Sequence, residues 1–168
     1  MVEVSKEVIF QSLARLFSLL SKRSLMIATA ESCTGGLVGS FLTELPGSSQ
    51  YYSGGVIAYS DAVKTTLLKV PKAVIDEKGA VSPEVAHLMA EGAANAFNVS
   101  LSISVTGIAG PTGGTETKPV GTIYCGFKVF QKTVTHRFNF SGNRNQVRMQ
   151  TVLSCLNKMV DILEESHT

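Results

Sequence analysis

The 168-residue chain has no tryptophan, only five prolines and only three cysteines. Cys33, Cys125 and Cys155 are odd in number and far apart, which excludes a disulfide framework and a CxxC metal or redox pair. A reducing cytoplasm is the default compartment for such a chain. Charged residues make up 17% of the sequence with a net charge of +2, too small a surplus to mark a nucleic-acid surface. No apolar run approaches the ~20 residues of a membrane span. Glu3 and Glu7 interrupt the N-terminus, so a secretory signal is not expected either. His87, His136 and His167 are scattered, none at metal-ligand spacing, and no metal is assigned. What is present is 44% hydrophobic, enough for a full core in one domain over residues 1–168.

Apolar residues recur at helical spacing over residues 5–22. Residues 25–29 read as a short buried strand and 35–45 as a helix, ended by Pro46-Gly47-Ser48-Ser49. A second strand covers 54–59, and Ser60 or Asp61 can cap a helix holding Lys64, Leu67 and Leu68. Ser82-Pro83-Glu84 is a helix start, with a cap, a proline and an acid in the first turn. That helix runs to about Phe97. A third strand covers 101–105, a glycine-rich loop 107–119, and a hairpin 120–130 and 133–140. A last helix begins near Asn143. Strands and helices alternate and a hairpin then follows, which predicts an α/β domain in layers around a mixed, partly parallel sheet.

Four places could carry chemistry. The first is Thr29-Ala30-Glu31-Ser32-Cys33-Thr34-Gly35-Gly36, where a strand ends in a small-residue turn and opens a helix. Such a turn presents unpaired N–H groups to an anion or an oxyanion. It also reads as a plain turn with Ser32 as helix cap; Cys33 is a second candidate nucleophile without a histidine to activate it. The role of Glu31 stays open between orienting a neighbour and capping the turn. The second is Tyr59-Ser60-Asp61-Ala62-Val63-Lys64: a neutral lysine can serve a serine as general base, although most lysines are solvated. The third is the loop from Thr106 and Gly107 to Gly114 and Thr115, of a kind that lines ligand sites at strand ends or simply connects elements. The fourth is Asn143-Arg144-Asn145-Gln146-Val147-Arg148. Two arginines at a helix start break the usual charge rule, which a bound phosphate or carboxylate would explain.

The motifs AESCTGGLV, PGSS with an aromatic and GG after it, VIAYSDAVK, GAVSPEVAHLMAEGA, VTGIAGPTGGTETKPVGT and GNRNQVR occur in this order over about residues 28–155. This constellation resembles the CinA C-terminal-domain family, whose characterised members are nicotinamide-nucleotide amidases. The resemblance implies a three-layer α/β/α domain, usually a homodimer, that deamidates nicotinamide mononucleotide to nicotinate mononucleotide and ammonia. It implies Ser32 as nucleophile, Lys64 as its base, Tyr59 in support, and Thr106 and Arg144 in the same site. Cys33, Thr34, Gly35, Gly107 and Arg148 are expected to line or hold the substrate. No cofactor is required, and no nucleic-acid or membrane partner is expected. Many relatives carry a further N-terminal domain of molybdopterin-binding type, and this chain resembles the stand-alone form. Thr117 and Asn143 replace residues that are more often acidic in the family; asparagine caps about as well as aspartate. A non-catalytic nucleotide-binding module and an amidase for another phosphorylated amide are the alternatives.

Overall fold

The computed structural model describes residues 4–166, so Glu3 and His167 lie outside the described residues. The first helix, α1 (Lys6–Lys22), is capped by Ser5 and buries Ile9, Leu13, Leu16, Phe17 and Leu20. Strand β1 (Ile27–Glu31) begins two residues later than its pattern predicts. The reason is local: the Leu25 N–H still donates to the Leu20 carbonyl, with Ser24 left-handed, so Leu25 belongs to the end of α1. Helix α2 (Leu37–Leu42) also starts two residues late, because Gly35 and Gly36 have φ of +59° and +92°, which no α-helix accommodates. A 3₁₀ turn (Ser48–Gln50) leads into β2 (Tyr52–Ile57).

Helix α3 (Asp61–Thr66) is capped by Ser60. It stops before Leu67 and Leu68, which the sequence pattern places inside it, and Lys69 is left-handed at φ +59°. Helix α4 (Lys72–Lys78) has no counterpart in the sequence-based reading. Its signals are Pro71 just before and Gly79 just after, the asymmetry that brackets short helices. Helix α5 (Pro83–Phe97) starts on Ser82 and Pro83 as expected and ends at left-handed Asn98. Strands β3 (Leu101–Gly107), β4 (Thr122–Val129) and β5 (Lys132–Asn139) follow, then helix α6 (Arg144–Glu165). Asn143 and Gln146 form a reciprocal capping box at the start of α6, so Asn143 keeps the cap role expected of it.

The sheet order is β2-β1-β3-β4-β5, with β1 parallel to β2 and β3 and antiparallel pairing from β3 onward. Helices α1, α2 and α6 cover one face around a core that includes Leu16, Ile103, Phe127 and Leu156. Helix α5 covers the other, with α3 and α4 beside it and Ala28, Ala30, Leu68 and Met89 between. This is the three-layer α/β/α domain with a mixed sheet that the sequence predicts.

The alternation Leu101-Ser102-Ile103-Ser104-Val105-Thr106 assigns the two faces of β3. The three apolar residues enter the larger core. The three hydroxyls donate to the carbonyls of Ala90 at 2.6 Å, Ala86 at 2.5 Å and Ala80 at 2.7 Å. A helix that close needs small residues: a Cβ on Gly126 would sit 2.4 Å from the Ala86 carbonyl oxygen. The alanines of α5 and Gly126 of β4 therefore serve one purpose, the seating of α5 against the sheet. That seating places the segment just before α5, where Ala80 and Val81 form one wall of the site.

Candidate active site

The chain leaves β1 through α2 to β2, then crosses back over β1 through α3, α4 and α5 to β3. The carboxyl ends of these three parallel strands share one end of the sheet, and the reversal of direction at β1 opens a crevice there. A cleft of about 350 Å³ occupies that position. Ser32 and Cys33 line it from the end of β1, Tyr59, Asp61 and Lys64 from the end of β2 and α3, Thr106 to Gly110 from the end of β3, and Arg144 from α6. A larger cleft of about 550 Å³ lies at the β4–β5 turn and the end of α6, lined by Phe130, Lys132 and Lys158 among others, and holds no serine or cysteine nucleophile beyond Ser166 on its rim.

Ser32 is held at the turn because its N–H donates to the Val105 carbonyl at 2.9 Å and its carbonyl accepts the Gly35 N–H at 3.0 Å. Among the described residues, no backbone carbonyl engages the N–H groups of Cys33 and Thr34; Thr34 is fully buried, so of the two only Cys33, which lines the cleft, is left for an oxyanion. The N–H of Gly36 is not, because it donates to the Glu31 carboxylate at 3.1 Å. Glu31 also accepts from Val38 at 3.0 Å and Gly39 at 2.7 Å. The open question about this residue is thereby answered: Glu31 caps α2, and Ser32 does not, which leaves the serine hydroxyl to the cleft.

Lys64 is 1% exposed. Its Nζ donates to Asp61 Oδ1 at 3.3 Å and to the Tyr59 carbonyl at 3.5 Å, and among the described residues no hydrogen bond joins it to Ser32. Tyr59 is 63% exposed, and its phenol accepts from Arg144 Nη2 at 3.2 Å rather than touching Lys64. Arg144 Nη1 donates to the Gly110 carbonyl at 2.9 Å. Both acceptors are neutral, and among the described residues no carboxylate pairs with this guanidinium.

Three of the expected substrate-binding residues stand behind the cleft rather than in it. Arg148 Nη2 donates to the Thr34 carbonyl at 2.7 Å, close to where a Cβ on Gly35 would stand. One helical turn beyond Arg144, Arg148 braces the turn that carries Ser32, and the Thr34 side chain is fully buried. Sequence reasoning missed Asp61 as a partner of Lys64 and the wall formed by Ala80 and Val81. The i,i+3 spacing of Asp61 and Lys64 could have shown the first. The wall is pinned from a distance: Thr106 holds Ala80, and Lys118 Nζ donates to the carbonyls of Val81 at 2.7 Å and Lys78 at 3.3 Å. Nothing local in residues 79–82 announces that.

The family model for the CinA C-terminal domain matches residues 10–163. The chain belongs to this family. A relative from Halothermothrix orenii, named for competence and damage induction, is 53% identical over 137 residues, covering 81% of this chain and 33% of that protein. The chain thus spans about a third of the length of the curated relatives it matches. The competence/damage inducible protein CihA of Agrobacterium tumefaciens matches in structure with a TM-score of 0.90 at 33% identity, over 98% of this chain and 99% of that one. The competence damage-inducible protein A of Klebsiella pneumoniae matches with a TM-score of 0.90 at 29% identity, over 93% of this chain and 97% of that one. The fold of this CinA-family chain therefore rests on sequence and structure together.

Two statements complete the chemistry of the cleft. Among the described residues no three His, Cys, Asp or Glu side chains gather as metal ligands. Burial, reinforced by the nearby Cys155 thiol, pushes the Cys33 thiol up to about 12. Only the thiolate is an effective nucleophile, and at pH 8 about one part in ten thousand of such a thiol is ionised. Cys33 is therefore expected to resist iodoacetamide at pH 8 in the native protein, and to react once denaturant exposes it. Mass mapping of the labelled cysteines checks this. Rapid native labelling of Cys33 would restore the cysteine as a nucleophile.

Proposed function

We propose that this domain hydrolyses the carboxamide of nicotinamide mononucleotide to the carboxylate and ammonia. The observation that carries the reading is one cleft lined by a serine, a buried lysine and an arginine that no carboxylate neutralises. An amide needs a nucleophile, a proton acceptor, an oxyanion site and a proton for its leaving nitrogen. Ser32 Oγ adds to the carboxamide carbon and its proton passes to neutral Lys64. The C–N bond then breaks, that proton goes to nitrogen, and ammonia leaves an acyl-serine. Water attacks the ester, Lys64 takes and returns the proton, and Ser32 is regenerated. The N–H group of Cys33, or those beyond Gly107, hold the oxyanion. Thr106 keeps the opposite wall in place, Gly107 lets the end of β3 close against Thr122 and Ile123, and Arg148 with Thr34 and Gly35 keeps the serine turn in shape.

Arg144 binds the substrate phosphate, with Tyr59 orienting the guanidinium, so that remote binding energy positions the carboxamide. The residues need no organic cofactor for this chemistry; the family resemblance suggests a homodimer, and the odd, widely spaced cysteines suggest a reducing cytoplasm. The test is ammonia release from nicotinamide mononucleotide beside nicotinamide riboside and nicotinamide. The phosphorylated substrate is expected to be turned over best, and Arg144→Ala to lower its kcat/KM by ~10²-fold while changing the riboside rate little. One feature favours a second reading, a binding module: Lys64 is bonded to Asp61 and not to Ser32. Thermal stabilisation by the mononucleotide with no ammonia released would establish that reading instead.

A further inference from the structure

The buried lysine has a partner that the Ser–Lys reading leaves without a role. Lys64 Nζ lies in a cleft wall with 2% of its side chain exposed, and among the described residues its one charged partner is Asp61 Oδ1 at 3.3 Å. Asp61 itself is 60% exposed in its side chain and also lines the cleft. The two sit three residues apart on α3, so the helix delivers both to one side. The other charged or titratable groups around the cleft do not serve the lysine. Arg144 lies across it and is taken up by Gly110 and the Tyr59 phenol, and Cys33 keeps its proton. Thr106 Oγ1 is committed to Ala80.

We propose that Asp61 is a positioning residue for the hydrolysis, acting through Lys64. The inference rests on the amidase reading above. When Lys64 takes the Ser32 proton it becomes a buried ammonium, which is costly unless an anion faces it. Asp61 supplies that anion without itself gaining a proton, as an acid does for the imidazolium of a serine triad. It also fixes the ammonium where it can next donate to the leaving nitrogen. The same contact draws Nζ toward α3, which accounts for the absence of a bond to Ser32 among the described residues.

The experiment compares wild type, Asp61→Asn and Asp61→Ala on nicotinamide mononucleotide and on the methyl ester of nicotinate mononucleotide. Methoxide needs its proton less than an amide nitrogen does, so the ester relies less on the ammonium. With the amide, Asp61→Ala is expected to lower kcat by ~10–100-fold with KM within about threefold, and Asp61→Asn, which keeps an acceptor, to fall between. With the ester, where Lys64 still takes the Ser32 proton but need not return it to the leaving group, the loss is expected to be at least about threefold smaller than with the amide. Equal losses on amide and ester, or a loss confined to KM, would overturn the positioning role. So would full amide activity in Asp61→Ala. If wild type releases neither ammonia nor methanol, the amidase reading itself fails, an outcome separate from these.

Discussion

On the proposed mechanism, Ser32→Ala is expected to lower ammonia release from nicotinamide mononucleotide by at least ~10³-fold while the protein keeps its fold. The serine is 9% exposed and none of its neighbours depends on its hydroxyl: its backbone N–H and carbonyl make the turn, and Glu31 caps the helix. Deleting one oxygen therefore removes the attacking atom and leaves the architecture intact. Lys64 calls for a different substitution, because alanine would leave a cavity where a long buried stem had been. Lys64→Met keeps the stem and removes the amine, and is expected to cost ~10²–10⁴-fold in kcat. Its unfolding midpoint should hold or rise, because a buried polar group with two long hydrogen bonds is an expensive group to keep. The double variant should be no slower than the worse single, since nucleophile and base act as one unit. Near-wild-type turnover in a folded Ser32→Ala protein would end the acyl-serine mechanism, and near-wild-type turnover in Lys64→Met would end the role of the lysine as base.

The fold was legible where a local pattern decides a global contact. The alternation in Leu101–Thr106 specifies both faces of β3, and Ser82-Pro83 and Asn143 mark real helix starts. It was less legible where two local rules compete. The doublet Gly35-Gly36 reads equally as a helix opening and as a left-handed turn, and the turn is what lets Gly36, Val38 and Gly39 all donate to the Glu31 carboxylate. Strand β2 slid two residues because its register is set by pairing of Tyr52 to Ile57 with β1, not by its own apolar run. Among site residues, those at strand ends could be read because glycines, a serine and an aromatic cluster there. Arg148 could not be told from Arg144, since both sit on one helical face. Which of them reaches the cleft depends on the distance from α6 to the serine turn, and no sequence spacing contains that distance.

Glu31→Ala should destabilise the domain by ~3–5 kcal/mol, measured as a shift in denaturant-unfolding free energy. The carboxylate is 1% exposed and accepts three backbone N–H groups, from Gly36, Val38 and Gly39. The first four N–H groups of any helix lack partners within it, and the helix dipole places partial positive charge at the same spot. The Val38 and Gly39 donors are buried and that of Gly36 is partly so, so water cannot fully replace the carboxylate that alanine would remove. Each orphaned buried donor costs about 1–3 kcal/mol, and the total falls short of the sum because the turn can relax. That relaxation is itself informative, since the relaxing segment carries Ser32. Activity is therefore expected to fall together with stability in Glu31→Ala, whereas Ser32→Ala loses activity alone. Glu31→Gln separates charge from shape: its oxygen can still accept, but its amide nitrogen would face a donor, so a loss of ~2–3 kcal/mol is expected. If Glu31→Ala shifts stability by less than ~0.5 kcal/mol, the backbone of the serine turn is held by the Val105 and Arg148 contacts instead, and the carboxylate cap is dispensable.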